Sequence, residues 1–275
     1  RSLLEVHSGP VVERDKTLFT GWVERGYRRA LADLDLVDDK KAYYFLLKGY
    51  TGGFRDSHVG VYFKEGKGPD RFTERWPGFA TSWRGGRYVV THVDPAFART
   101  APPIGAALIR CEGRSAETFA RERLDRYDGN LDLESDRYTT APLLFWDRGN
   151  PFIPQLPPTC DFEVAGKAAP YALRYAPVTG EQLDAAVAAT APSSTAKLQV
   201  APWGGRRWWI GIPSMDENQE WNAFFADIER NLPAIRRSDA VIVDLRGNGG
   251  GSSGYAYPLA NLLWGDDMVR ASTPA

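Results

Sequence analysis

A nearly unbroken apolar stretch, Ala240–Leu245, runs straight into a turn with four glycines in five positions, Gly247–Gly251. No other segment restricts the fold of this chain as much. A short apolar run ended by glycines is strand-sized, and a helical pattern follows it at about Ser253–Leu263. Upstream, Arg207–Ile212 reads as a strand. Glu217–Leu232 reads as an amphipathic helix, with Trp221, Phe224, Phe225, Ile228 and Leu232 on one face. Strand, helix, strand, glycine turn and helix in that order form an α/β unit. Continuous apolar character further places Ala240–Leu245 at the centre of a sheet covered on both faces.

The rest of the chain has two other textures. Residues 1–65 are helical: Thr17–Leu34 forms one helix, and Asp39–Tyr50 forms a second, with Ala42, Phe45, Leu46, Gly49 and Tyr50 on one face. Asp35–Asp38 separates them and supplies cap residues. His58–Phe63, rich in β-branched and aromatic residues, reads as a strand. Residues 66–187 are β-rich. Arg87–Val93, Ala106–Cys111, Phe162–Ala165 and Tyr171–Tyr175 are strands, Ser115–Tyr127 is a helix, and the proline-dense Asn150–Pro158 is a rigid connector. Ala188–Ala196 reads as a linker to the α/β region at residues 197–275. The fold class is α/β, mixed α+β.

Composition removes several functions. With 34 basic and 35 acidic side chains the formal charge is −1, so nothing electrostatic points to nucleic acid or an anionic membrane. A hydrophobic fraction of 43% supports a cored protein. No apolar run approaches the roughly 20 residues of a membrane helix. Cys111 and Cys160 are too few for a zinc site, and His7, His58 and His92 lack ligand spacing, so no metal is expected. The two cysteines are read as isolated buried thiols, with pairing as the alternative in an oxidising compartment.

The turn Asp244–Gly254 admits three chemical readings. Gly249, Gly251 and Gly254 match G-x-G-x-x-G, but only 21 residues follow, too few for the rest of a dinucleotide-binding sheet. Gly250–Gly254 matches the G-x-S-x-G nucleophile elbow, yet no histidine follows Ser252 as that fold requires. The third reading is a nest of backbone amides at a helix N-terminus, suited to an anion or an acyl-transfer oxyanion. Beside it stands a plainer one, in which the glycines merely let helix and strand pack closely.

Val241–Gly251 (Val-Ile-Val-Asp-Leu-Arg-Gly-Asn-Gly-Gly-Gly) closely resembles the D-x-R-x-N-x-G-G signature of the C-terminal-processing (tail-specific) and tricorn-type serine peptidases. Asp244, Arg246, Asn248, Gly250 and Gly251 fall on its positions. The run Trp208–Ser214 and the helix after it are also similar to the family's approach to the motif. Far upstream, Phe54-Arg-Asp-Ser-His58 resembles the D-x-H segment that ends the family's N-terminal helical region. Between them, Arg87–Leu124 resembles a PDZ-like module, with Ile104–Arg114 in place of its I-G-D-x-I strand and Ala106 where the usual acid stands.

This resemblance implies an N-terminal helical part, a PDZ-like middle, and a crotonase/Clp-like βα catalytic core. It implies His58 as general base with Ser57 orienting it, and the amides of Gly250 and Gly251 as an oxyanion hole. Asp244, Arg246 and Asn248 would fix the turn. Imidazole suits the base role because its pKa lies near neutrality. Two plainer alternatives stay open: His58 as a partly buried, satisfied histidine, and Asp244–Arg246 as a simple ion pair. No cofactor is implied. The partner would be a peptide or unfolded protein, and the location, as for many relatives, periplasmic or extracellular.

The family's nucleophilic serine lies well past the glycine motif, after a further strand. Here 31 residues follow Asp244, and Ser252, Ser253, Ser272 and Thr273 do not fit that place. Ser252 and Ser253 are read as helix-cap residues. The expectation is a catalytic core left incomplete, finished by a further C-terminal segment or a second chain. The alternative is an inert relative that binds extended peptides through its PDZ-like part.

Overall fold

The computed structural model describes residues 13–57, 59–64, 75–190, 197–216 and 220–272. The chain divides into two compact units, Arg1–Ala191 and Pro192–Ala275. Both mix helix and sheet, as the patterning predicts. Among the described residues no helix is long and apolar enough to cross a membrane.

The first unit opens with helices α1 (Glu13–Ala32) and α2 (Lys40–Gly52). Asp39, one residue past the expected separator, caps α2: its carboxylate accepts the Ala42 N–H at 2.7 Å. The buried face is Ala42, Phe45, Leu46 and Gly49, following the helical period of the sequence. Trp22 Nε1 of α1 donates to the Tyr50 carbonyl at 2.8 Å, and the rings of Phe19 and Phe54 meet at 4.7 Å. The expected strand at His58–Phe63 is not formed: residues 59–64 take no regular structure, and His58 lies outside the described residues. β-branched character favours a strand only where a neighbour supplies ladder partners.

The centre of this unit is an antiparallel sheet. Its strands are β2 (Phe79–Arg84), β3 (Arg87–Val93), β4 (Ala107–Cys111), β6 (Thr159–Val164) and β7 (Lys167–Ala172), in that order. Three short strands lie beside these: β1 (Arg75–Trp76) pairs with β8 (Ala176–Pro177), and β5 (Arg114–Ser115) with β4. On one face Phe79, Tyr88, Val90, Leu108 and Phe162 pack against Phe119, Ala120 and Leu124 of α3 (Ala116–Leu124). Helix α4 (Glu134–Thr140) follows α3 in the chain. Ala80, on the opposite face of β2, joins Trp76, Trp146 and Ala186 of helix α5 (Gly180–Thr190). Helix α5 enters the stretch expected to be linker.

Cys111 and Cys160 face each other across β4 and β6 and form a disulfide. The expectation of two isolated thiols is therefore corrected. They are 49 residues apart, and only the strand pairing brings them into register.

One buried carboxylate, Asp128, and one buried guanidinium, Arg123, hold the loops. Asp128, with its side chain 1% exposed, pairs with Lys48 of α2 at 3.2 Å and with Arg148. Burial by itself would raise its pKa, but the two cations outweigh that and lower it. Arg123 donates to the carbonyls of Leu144, Pro154 and Trp146 instead of to a carboxylate, and burial pulls its pKa down to about 10.

The second unit is a three-stranded sheet in the order β11 (Ala240–Asp244), β10 (Arg207–Gly211), β9 (Gln199–Pro202). Strands β10 and β11 are parallel; β9 runs antiparallel. Helix α6 (Glu220–Arg236) buries Trp221, Phe224, Ile228 and Ile235 against Ile210 and Ile212. Helix α7 (Ser253–Trp264) adds Leu259, and Tyr255 stacks on Trp221 at 4.3 Å. A last helix, α8, covers Asp266–Ser272. The central strand is β10, not the expected Ala240–Leu245. Among the described residues β11 is paired on one side only, which leaves Val241 36% and Leu245 49% exposed.

Candidate active site

The glycine turn grows out of β11. Register pairs Gly211 with Asp244, and the Ile212 N–H donates to the Asp244 carbonyl at 3.0 Å. The main chain beyond β10 thus stays beside the turn. The Asp244 carboxylate is buried and accepts three N–H groups of Arg246: the backbone N–H at 3.0 Å, Nε at 2.9 Å and Nη2 at 2.7 Å. These donors from Arg246 bring its pKa down to about 2. One residue is therefore both ion-pair partner and turn-former.

Asn248 works in the opposite direction. Its Nδ2 donates to the Ile212 carbonyl at 2.9 Å, and its Oδ1 accepts the Gly250 N–H at 2.7 Å. The amide side chain bridges the residue after β10 and the turn. Met215 N–H donates to the Gly250 carbonyl, and Ser252 N–H to the Met215 carbonyl, both at 2.8 Å. A side chain at Gly251, where φ is +129°, would place Cβ 2.2 Å from the Met215 carbonyl oxygen, so only glycine permits that approach. Ser252 is the N-cap of α7, its Oγ accepting the Gly254 N–H at 3.1 Å.

The structure thus joins Asp244, Arg246, Asn248, Gly250 and Gly251 in one hydrogen-bonded turn at a helix N-terminus. The Gly250 N–H is occupied by Asn248, whereas the Gly251 N–H has no acceptor among the described residues. A free amide beside a helix N-terminus can hold an anion or a developing oxyanion. Ser57 belongs to the first unit and is an exposed turn residue; His58 lies outside the described residues. Among the described residues no group of three or more histidine, cysteine or acidic side chains is placed to hold a metal ion. Met215 escapes sequence reading altogether. It acts through its backbone, which leaves no trace in residue type.

No family model and no curated protein matches the chain. Solved structures do, and two of them are of one protease. Mature CPAF, a chlamydial serine protease, complexed with lactacystin aligns with a TM-score of 0.54 and 18% identity over 93% of this chain and 56% of that one. Mature CPAF in a second crystal structure aligns with a TM-score of 0.51 and 15% identity over 91% and 54%. At such identities the likeness is one of fold, and the chain spans little more than half of the length of the proteins it matches. The sequence is thus laid out on a fold related to that of a serine protease.

Proposed function

We propose that this chain is part of a serine endopeptidase of the tail-specific or tricorn type, cutting peptide bonds through an acyl-serine intermediate. The observation that carries the reading is the Asp244–Gly251 turn. A D-x-R-x-N-x-G-G sequence, in a protease-like fold, presents a backbone amide at the N-terminus of α7. The amides of Gly250 and Gly251 form the oxyanion hole, with Gly251 supplying the free donor and Gly250 sharing its N–H with Asn248. Asp244, Arg246 and Asn248 hold those amides in place. His58 takes the proton of the nucleophilic serine and returns it to the leaving amine, with Ser57 orienting the imidazole.

No described serine is assigned as the nucleophile, since Ser252 is spent on capping α7. The half-paired strand β11 supports a further strand, from another segment or a second chain, as the part that completes the core. The β-rich middle of the first unit is read as the PDZ-like module that takes peptide or unfolded protein. A buried disulfide supports an oxidising compartment, periplasmic or extracellular.

The test uses the natural protein isolated from its source, with an unfolded protein as substrate. His58→Ala should lower kcat by roughly 100- to 10,000-fold, the usual worth of a general base. Hydrolysis within a few-fold of wild type would remove His58 from the mechanism. If the wild type binds peptide without cutting it, and Gly250→Pro binds equally well, the chain is an inert peptide-binding relative.

A further inference from the structure

The first unit contains an arginine-lined groove that the peptidase chemistry does not use. It has a volume of about 590 Å³, within the range of roughly 300–1,000 Å³ common for ligand sites. Arg25 and Arg29 project from α1, one helical turn apart on the same face. Arg55 follows α2, and Arg121 and Arg126 come from α3 and the residues after it. Trp22, Tyr127 and Phe152 supply apolar wall.

Charge accounting separates these arginines. Arg55 is neutralised by Asp125, with two contacts at 2.8 and 2.9 Å, and Arg121 by Glu117 and Asp132. Glu122, the other acid of the groove, is taken by Arg114 at 3.1 Å. Arg29 reaches Asp33 only at 3.9 Å, and its side chain stays 59% exposed. Arg25 and Arg126 meet no carboxylate within ion-pair distance among the described residues. The Arg126 guanidinium instead lies over the rings of Tyr127 at 4.8 Å and Trp22 at 5.9 Å, and donates to the Tyr127 hydroxyl. Its backbone has φ +72°, which suits glycine, so arginine is held there against a steric cost. A second cleft, of about 460 Å³, provides a contrast. Its Arg121 and Arg137 are both saturated by carboxylates, so no cation is left over for a ligand.

We propose that this groove binds an acidic peptide segment, whose carboxylates pair with Arg25, Arg29 and Arg126 and whose apolar side chain packs on Trp22, Tyr127 and Phe152. Guanidinium forks match carboxylates in bidentate geometry. A nucleic acid fits less well, because the chain as a whole is near neutral and offers no extended basic track for a phosphate backbone. The proposal does not rest on the peptidase reading, since binding is measured without turnover.

The experiment is fluorescence anisotropy with a labelled peptide, Ac-Glu-Leu-Glu-Glu-Phe-Glu-NH2, whose blocked end excludes recognition of a terminal carboxylate. The expected result is saturable binding, at least tenfold weaker for the all-Gln counterpart and for the exposed double variant Arg25→Glu/Arg29→Glu. Far-UV circular dichroism checks that the variant is folded, and Arg25→Ala/Arg29→Ala, a milder change, should fall between the two. Equal affinity for the Gln peptide, or for both variants, would overturn the site. Displacement of the peptide by equimolar single-stranded DNA would also overturn it, showing a general polyanion surface.

Discussion

At Asp244 one buried carboxylate accepts three N–H donors from a single arginine, and this geometry has a pH consequence. Its folded pKa, about 2, lies below the ordinary 3.8, so the carboxylate stabilises the second unit fully above about pH 4. That contribution is lost as pH falls from about 4 towards 2. Acid unfolding followed by circular dichroism should show loss of the second unit's helices in that window, and Asp244→Asn should flatten it. Asp128 makes a different case, because its two cations come from Lys48 and Arg148, far apart in the chain. Asp128→Ala strands both near a buried site and is expected to cost roughly 3–5 kcal/mol in urea unfolding. A loss under 1 kcal/mol would mean that water reaches the pair. The motif at residues 244–251 could be read in advance because its partners are two residues apart. The Asp128 triad could not, because its members meet only after folding.

Elements built from local pattern are where sequence reading succeeds. Helix α2 buries Ala42, Phe45, Leu46 and Gly49, and β3 spans the expected Arg87–Val93. Strand β2 escaped notice because it is covered on both faces: Phe79 and Ala80 enter separate clusters, which removes the polar–apolar alternation. The error at β11 runs the other way. Its apolar run suggested a central strand, yet only β10 pairs with it among the described residues. The disulfide belongs to the same scale, since two strands must pair before the sulfurs meet. Closing a loop of about 50 residues is worth about 4 kcal/mol on the chain-entropy account. Cys111→Ala/Cys160→Ala should therefore lower the free energy of urea unfolding by that order, with a lower midpoint. An unchanged midpoint would show the sheet to be self-sufficient.

For the whole molecule, the hydrophobic clusters of the first unit draw on residues 76–186 and that of the second on residues 198–263. A unit with its own core folds alone. Residues 13–190 expressed separately should give a cooperative thermal transition and an intact Cys111–Cys160 bond; a non-cooperative melt would show that the core needs the rest of the chain. What the residues themselves determined was the α/β character, the helical faces and the Asp244–Gly251 turn, because each depends on periods of two to four residues or on glycine's freedom at fixed spacing. Tertiary structure alone decided which strand is central, that Cys111 meets Cys160, that the Asn248 amide reaches the Ile212 carbonyl, and which arginines keep an unspent charge. Those outcomes depend on partners tens of residues away, and no local pattern in the chain encodes such a distance.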